Sequence, residues 1–158
     1  MNRKSLLFAA KFLVLFFSIY ALLFILDISF LQNGIASFEA ALAGLPNAGN
    51  AIFLGNHIFV IVESCTGFVS IAMIFAIIFS LKKPVLKLKI LIFLICSFFL
   101  FLINLGRIWI VVYSAAIWGA DAAQWIHVIS WFMMSGAVLA LWYYFTKRFF
   151  GEDFSQLL

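Results

Sequence analysis

Four long apolar segments constrain the fold of this chain more than any other feature of its sequence. They cover approximately residues 5–31, 64–81, 88–112 and 123–145. About 20 helical residues cross the ~30 Å hydrocarbon core of a bilayer. Backbone polar groups must pair within the chain in lipid, so such segments form helices. The sequence therefore predicts an all-α membrane protein with about four transmembrane helices, folded as a single integral membrane domain over residues 1–158.

The composition agrees with lipid as the main solvent. Hydrophobic residues make up 67% of the chain and charged residues 10%, whereas soluble domains are about half apolar and a quarter charged. The net charge of +4 therefore gives no reason to expect a nucleic-acid partner. The two cysteines lie in apolar runs without CxxC spacing, and no group of Asp, Glu and His resembles a zinc site. We expect neither a metal nor a cofactor.

The amino terminus shares some features with a secretory signal peptide. Arg3 and Lys4 precede an apolar run, and Ala41-Leu42-Ala43 resembles a cleavage site. However, the run that ends near Leu31 is much longer than the ~7–15 residues of a signal h-region. The pattern favours a membrane helix that is retained.

Basic residues alternate between the two sides of the predicted helices. Nine of them precede or begin the first span, join the second span to the third, or follow the fourth: Arg3, Lys4, Lys11, Lys82, Lys83, Lys87, Lys89, Lys147 and Arg148. The connections over residues 32–63 and 113–122 contain no lysine or arginine. The positive-inside rule therefore places both termini and the basic loop in the cytoplasm. Arg107 is the exception, because it lies within the third span.

The long outer connection between the first two spans carries two local patterns. Ile35, Phe38 and Leu42 recur at helical spacing, which predicts a short helix on the membrane surface. Residues 51–54 and 58–62 are rich in β-branched side chains and flank a Gly-Asn turn, which favours a small β-hairpin. The alternative is a helix that begins near His57 and continues into the second span.

Four polar residues on different spans reach a similar depth. Counted from the cytoplasmic lysines at ~1.5 Å per helical residue, they lie at ~24 Å (Asp27), ~25 Å (Cys65), ~27 Å (Arg107) and ~30 Å (His127). The sequence therefore predicts that they share one layer near the outer surface.

Arg107 is the most costly residue of this layer. An arginine in a membrane helix costs ~2.5–3.5 kcal/mol at the helix centre and needs a partner. A structural role is open to it, either by snorkelling to headgroups or by pairing with Asp27 or Glu63. Asn104 lies one turn earlier on the same helix face, and this second polar group favours a functional site.

Cys65 has both a structural and a chemical interpretation. A buried cysteine usually packs as a small hydrophobe, and we assign Cys96 to that role. For Cys65, the predicted start of the second helix and a nearby cation both favour the thiolate. Gly67 leaves space for the close approach of another backbone. We therefore treat Cys65 as a candidate nucleophile.

The two histidines differ in position. His127 lies in an apolar helix beside the predicted thiol and arginine, where it could act as a base toward sulfur or as an acid toward a leaving amine. The alternative interpretation is that His127 only forms a structural hydrogen bond. His57 belongs to the outer loop and is the weaker candidate. A haem held by both histidines is disfavoured, because His57 would lie above the layer of His127.

Three short motifs resemble the exosortase/archaeosortase family of membrane cysteine transpeptidases, over roughly residues 55–141. They are Glu63-Ser64-Cys65-Thr66-Gly67, Asn104-x-x-Arg107 and His127. The resemblance implies that Cys65 is the nucleophile, that Arg107 stabilises the oxyanion or orients substrate, and that His127 fills the third catalytic position, where some relatives carry arginine. The residues expected to support the site are Glu63, Thr66, Gly67, Asn104 and Asp27.

The resemblance also implies substrates and a location. The family is expected to cleave secreted proteins at a carboxy-terminal sorting tail, which consists of a short motif, an apolar helix and a basic end. Cleavage occurs at the outer membrane face through a cysteine thioester, and a membrane lipid is a candidate acceptor of the new carboxyl end. This chain is shorter than relatives with about eight spans, and Thr66 stands where many of them have serine.

Two other classes of function compete with an enzyme. In a small four-helix transporter, Glu63, Arg107 and Asp27 would line a pathway for protons or a charged substrate. That class predicts polar groups spread through the bilayer depth, whereas the sequence places them in one outer layer. In a non-catalytic membrane subunit, Arg107 would pair with a partner chain and Cys65 could be replaced without loss.

Overall fold

Five α-helices and a small three-stranded sheet form the described part of the chain. The computed structural model describes residues 3–55 and 57–150. In chain order the elements are α1 (Arg3–Ile25), α2 (Ser29–Ala43), β1 (Asn47–Ala48), β2 (Ala51–Leu54), β3 (His57–Val60), a 3₁₀ turn (Glu63–Thr66), α3 (Phe68–Ser80), α4 (Leu86–Trp118) and α5 (Ala120–Phe150). We call residues 63–66 the Cys65 turn.

Three of the described helices, α1, α4 and α5, are long and apolar enough to cross a membrane. This confirms the prediction of a helical membrane protein. α4 has 33 residues and is therefore about 50 Å long, which exceeds the thickness of the hydrocarbon core. α3 has only 13 residues and is about 20 Å long. The count of four spans and the cytoplasmic position of the termini stay predictions.

Two predicted helix boundaries are wrong. α1 ends at Ile25 and not near residue 31, because the chain turns at Asp27 before α2 begins. There the Asp27 Oδ1 accepts a hydrogen bond of 2.9 Å from the Ser29 N–H, a local bond that competes with helix continuation. α3 begins at Phe68 and not at Ser64, because Gly67 adopts a left-handed conformation with φ of 84°. Both breaks place polar residues at helix ends.

The predictions for the outer connection are confirmed in their secondary structure. α2 is the short helix that the spacing of its apolar residues predicts. β2 and β3 form an antiparallel hairpin in which Leu54 pairs with His57, so a helix starting near His57 is excluded. The turn contains Gly55 at φ of 60°, a conformation that glycine adopts without strain. An unpredicted short strand, β1, pairs with the other edge of β2.

α4 is the central element of the helix packing, since it contacts α2, α3 and α5, while α1 packs against α3. The buried side chains form two clusters. The outer cluster joins α2, the hairpin, the Cys65 turn and the outer half of α4 and contains Cys65. The inner cluster joins α3, α4 and α5 and contains Cys96, which is fully buried. The packing role predicted for Cys96 is consistent with this position.

Candidate active site

The Cys65 turn is an irregular segment held in place by local hydrogen bonds. The Cys65 N–H donates to the Val62 carbonyl at 2.8 Å, and the Thr66 hydroxyl donates to the Glu63 carbonyl at 2.7 Å. Cys65 and Thr66 are both buried. Non-helical backbone at membrane depth is tolerated where protein surrounds it or where it lines a cavity. The cysteine therefore lies just before α3, whereas the sequence predicted that it lies in the first turn of this helix.

Gly67 lets the turn approach α4 closely. A Cβ atom at this position would lie 3.1 Å from the Asn104 Cγ and 3.2 Å from its Nδ2. The fully buried Asn104 side chain uses this proximity to donate from Nδ2 to the Cys65 carbonyl at 2.7 Å. The backbone of the cysteine is thereby fixed to α4 by an amide that has no exposure to solvent.

Arg107 is buried among neutral partners. Its side chain is 7% exposed. Nη1 donates to the Asn104 Oδ1 at 3.1 Å, Nε donates to the Ser130 hydroxyl at 3.1 Å, and the guanidinium lies 4.9 Å from the centre of the Trp131 ring. No carboxylate forms an ion pair with Arg107 within residues 3–55 and 57–150. The structural pairing with Asp27 or Glu63 therefore does not occur there.

A buried guanidinium of this kind retains its capacity to bind an anion. Two of its five N–H donors are engaged in the bonds just described, and no negative side chain neutralises it. Arg107 interacts electrostatically with both Cys65 and His127. A thiolate, or an oxyanion that forms beside it, is the kind of charge that this arrangement stabilises.

His127 is fixed by the next turn of α5. Its ring Nε2 accepts a hydrogen bond of 3.2 Å from the Trp131 indole N–H. Its carbonyl accepts a bond of 2.7 Å from the Ser130 hydroxyl, which in turn accepts the bond from Arg107. One connected network therefore runs from the Cys65 carbonyl through Asn104, Arg107 and Ser130 to His127.

A cavity of about 320 Å³ brings Cys65 and His127 together, and His57 also lies on its wall. The hairpin covers one side of this cavity, and the outer ends of α4 and α5 form the other. Arg107 does not line it but acts from behind Asn104. The sequence predicted that His57 lies above the layer of the site. In the structure, the hairpin places His57 on the wall of the cavity that Cys65 also lines.

The two carboxylates among the expected supporting residues lie elsewhere. Glu63 is exposed and lines a separate cavity of about 240 Å³ with Tyr20 and Ser64 on the α1 side of the Cys65 turn. Asp27 lies in the exposed turn between α1 and α2, and its bond to Ser29 holds the pKa of its carboxyl below the usual value. Thr66, Gly67 and Asn104 do belong to the structure around the cysteine.

Sequence reasoning missed Ser130 and Trp131. They stand three and four positions after His127, which places all three on one face of α5. That spacing from a candidate catalytic residue could have identified them. Nothing in the sequence around His57 indicated that it lines the cavity of Cys65. Its position depends on the tilt of the hairpin, which the sequence does not specify.

Glu39 is a further buried acid of the outer cluster. Its side chain has 0% exposure, and neither carboxylate oxygen has a hydrogen-bond partner among residues 3–55 and 57–150. Burial raises the pKa of Glu39 to about 7. It lies on α2 at a groove against the Leu105 and Trp109 face of α4, and does not line the cavity of Cys65.

The arrangement has the parts of a thiol-based acyl-transfer site. A cysteine and two imidazoles share a cavity, and the Arg107 guanidinium is joined to the Cys65 carbonyl through Asn104. Nucleophile, proton carrier and electrophilic stabiliser are the roles that such chemistry requires.

Comparison with known proteins identifies a family for this chain. The model of a family described as transmembrane exosortase (Exosortase_EpsH) matches residues 3–143, which is most of the chain. No curated protein and no solved structure matches the chain.

Proposed function

The chain belongs to the transmembrane exosortase family, and from this membership we propose that it is a membrane-embedded cysteine transpeptidase or protease. The family and the three long apolar helices make it a multi-pass membrane protein. In the proposal Cys65 is the nucleophile, Arg107 supplies the positive charge that stabilises anions at the sulfur, and His127 donates a hydrogen bond into the cavity.

The observation that carries this assignment is the buried charge of Arg107. A cation in a membrane protein is normally paired with an acid or with backbone carbonyls. Here an amide, a hydroxyl and an aromatic face orient it, and the amide is the same Asn104 that binds the Cys65 carbonyl. The buried charge is thus connected through one side chain to the backbone of the candidate nucleophile, which supports a role in stabilising an anion there.

The reaction follows from these positions. The Cys65 thiolate attacks the scissile carbonyl carbon, and a C–S bond forms while the carbonyl oxygen becomes negative. The C–N bond then breaks, the amine leaves with a proton, and a thioester remains on Cys65. A nucleophile that loses a proton next displaces the sulfur. Water as nucleophile gives hydrolysis, and an amine-bearing lipid headgroup gives transfer to the membrane.

The proposed substrates are secreted proteins that end in a short motif, an apolar helix and a basic tail. An apolar groove of about 290 Å³ between α4 and α5 supports this choice. Its wall includes Ile103, Ile129 and Met133, and Arg107 lies at the same groove. An apolar substrate helix in this groove would bring the residues before it to the level of Cys65. The site then faces the outer side, as the distribution of lysines and arginines indicates.

Replacement of each cysteine tests the proposal. A host-encoded secreted protein with an apolar carboxy-terminal helix and basic end serves as reporter, and pulse-chase labelling in cells measures its cleavage. We expect Cys65→Ala to abolish cleavage and to leave the chain in the membrane at normal abundance. Cys96→Ala is the matched control, since this buried cysteine lies in the inner cluster. Normal cleavage by Cys65→Ala would exclude a thioester mechanism and favour a non-catalytic subunit.

A further inference from the structure

The hydrogen bond between Trp131 and His127 fixes the protonation of the His127 ring. An indole nitrogen only donates hydrogen bonds. The His127 Nε2, which accepts from it at 3.2 Å, is therefore the nitrogen without a proton. The neutral ring consequently carries its proton on Nδ1.

This tautomer limits what His127 can do in the reaction. A neutral ring protonated at Nδ1 donates a hydrogen bond there, but it cannot take up a proton while the Trp131 N–H occupies Nε2. If Nε2 were protonated, its N–H would face the Trp131 N–H, and two donors would oppose each other. The positively charged ring would also lie near the Arg107 guanidinium, which contacts the same indole ring. Loss of the Nδ1 proton would leave an imidazolate. His127 therefore serves as a fixed hydrogen-bond donor.

The reaction nevertheless needs a group that accepts and returns a proton. The thiol of Cys65 loses a proton, the leaving amine gains one, and the incoming water or amine loses one. Among the described residues that line the cavity, His57 is the one ionisable side chain besides Cys65 and His127. Within residues 3–55 and 57–150 no hydrogen bond holds the His57 ring, so both nitrogens are available.

His57 also has a suitable position. It is the first residue of β3 and pairs with Leu54, and both residues line the cavity. Its side chain is exposed, which lets it exchange protons with water while it faces the site. The ionisable groups of the surrounding elements at this end of the fold are Glu39 on α2, Glu63 and Cys65 in the Cys65 turn, Arg107 and Tyr113 on α4, and Asp121 and His127 on α5. The other ionisable groups of α4 and α5 lie toward the opposite ends of these helices: Lys87, Lys89, Cys96, Tyr143, Tyr144, Lys147 and Arg148.

We propose that His57 is the proton carrier of this site and that His127 is a neutral donor toward the substrate carbonyl. The inference rests on the proposed thioester chemistry. His57 takes the Cys65 proton, which produces a thiolate and an imidazolium. The imidazolium protonates the amine as the C–N bond breaks. The neutral His57 ring then takes a proton from the incoming water or amine as the new bond to carbon forms and the C–S bond breaks, and the imidazolium returns that proton to sulfur.

The test compares two substrates that differ in their need for a proton. The probes are the secreted-protein reporter, whose amine must be protonated to leave, and p-nitrophenyl acetate, whose leaving group needs none. For the full-length chain with His57→Gln, we expect reporter cleavage to fall by about 100-fold or more, the size typical of general acid–base catalysis. At pH 8.5, where solvent hydroxide can take the thiol proton, the initial burst of p-nitrophenolate should stay within about threefold of that of the unmodified protein.

His127→Gln is the matched variant, because the Gln amide can still donate a hydrogen bond. It should retain more reporter cleavage than His57→Gln and should keep a fast burst near neutral pH, whereas the burst of His57→Gln should be slow near neutral pH and should recover toward pH 8.5. ¹⁵N NMR of labelled histidine should find an unprotonated Nε2 in His127, and this readout does not depend on any variant folding.

Three outcomes would overturn the inference. If His57→Gln cleaves the reporter within about threefold of the normal rate, His57 is not the proton carrier. An equal loss on both probes assigns His57 to structure. A protonated Nε2 in His127 would contradict the premise that the Trp131 N–H keeps this nitrogen unprotonated. Failure of the proposed function has a different signature, since Cys65→Ala would then cleave the reporter, whereas failure of the inference alone leaves Cys65→Ala inactive.

Discussion

Glu39→Gln should stabilise the folded protein above neutral pH. The carboxylate of Glu39 is fully buried on α2 and has no hydrogen-bond partner in the part of the chain that the structure describes. Burial without a partner disfavours the charged form, which raises the pKa to about 7 from 4.5. The folded state therefore holds the proton more tightly than the unfolded chain does, and the charge is a cost to folding wherever it forms.

The sign and size of the effect follow from this difference. The full stability is present below the unfolded pKa of 4.5 and declines as the pH rises through the folded pKa of about 7. A difference of this size corresponds to about 3 kcal/mol of lost folding free energy at pH 8. A Gln side chain of the same shape carries no charge, so its contribution does not change over this range.

Thermal unfolding of the purified full-length chain in detergent micelles measures the effect. We expect Glu39→Gln to unfold near the temperature of the unmodified protein at pH 5 and roughly 5–10 °C higher at pH 8. The other ionisable groups are present in both proteins, so their contributions cancel in the comparison. Asp121→Asn is the control, because it neutralises an exposed carboxylate and should produce no such difference.

Two results would refute the reasoning. Parallel pH profiles of the two proteins would mean that Glu39 does not titrate between pH 5 and 8. A Glu39→Gln protein that is less stable at pH 8 would mean that the carboxylate is ionised and bound to a partner. The first result contradicts the raised pKa, and the second contradicts the absence of a partner for the buried oxygens.

The remaining predictions concern the cysteine. Gly67→Ala should destabilise the fold by about 1–2 kcal/mol through its left-handed backbone, and should also slow reporter cleavage, because the new Cβ meets Asn104 at 3.1 Å. Gly119→Ala is its control, since Gly119 has the same φ of 84° but a Cβ there meets nothing within 4 Å, and equal effects of the two would contradict the close approach. A small membrane-impermeant alkylating reagent should label Cys65 in intact cells but not Cys96, and Arg107→Ala should slow the labelling several-fold at neutral pH. Labelling of both cysteines, or a rate independent of Arg107, would contradict the outward position or the electrostatic role.

The sequence by itself determined the membrane class of the fold and the main candidate residues. Apolar length identifies the helices, and the rise per residue converts chain position into depth. Cys65, Arg107 and His127 could therefore be assigned to one layer without knowledge of how the helices pack. The hairpin and the surface helix followed from local turn chemistry and periodicity, which are also read directly along the chain.

The tertiary structure decided which side chains meet within that layer. Depth is a single coordinate, whereas contact also depends on the rotation of each helix and on the path of each loop. The break at Gly67, which takes Cys65 out of α3 and sets its carbonyl against Asn104, depends on the close approach of another helix. The bond from Trp131 to the His127 Nε2 depends on rotamers, and the return of His57 to the cavity depends on the tilt of the hairpin. Periodicity and spacing carry none of this information, because each of these contacts joins groups whose relative orientation only packing fixes.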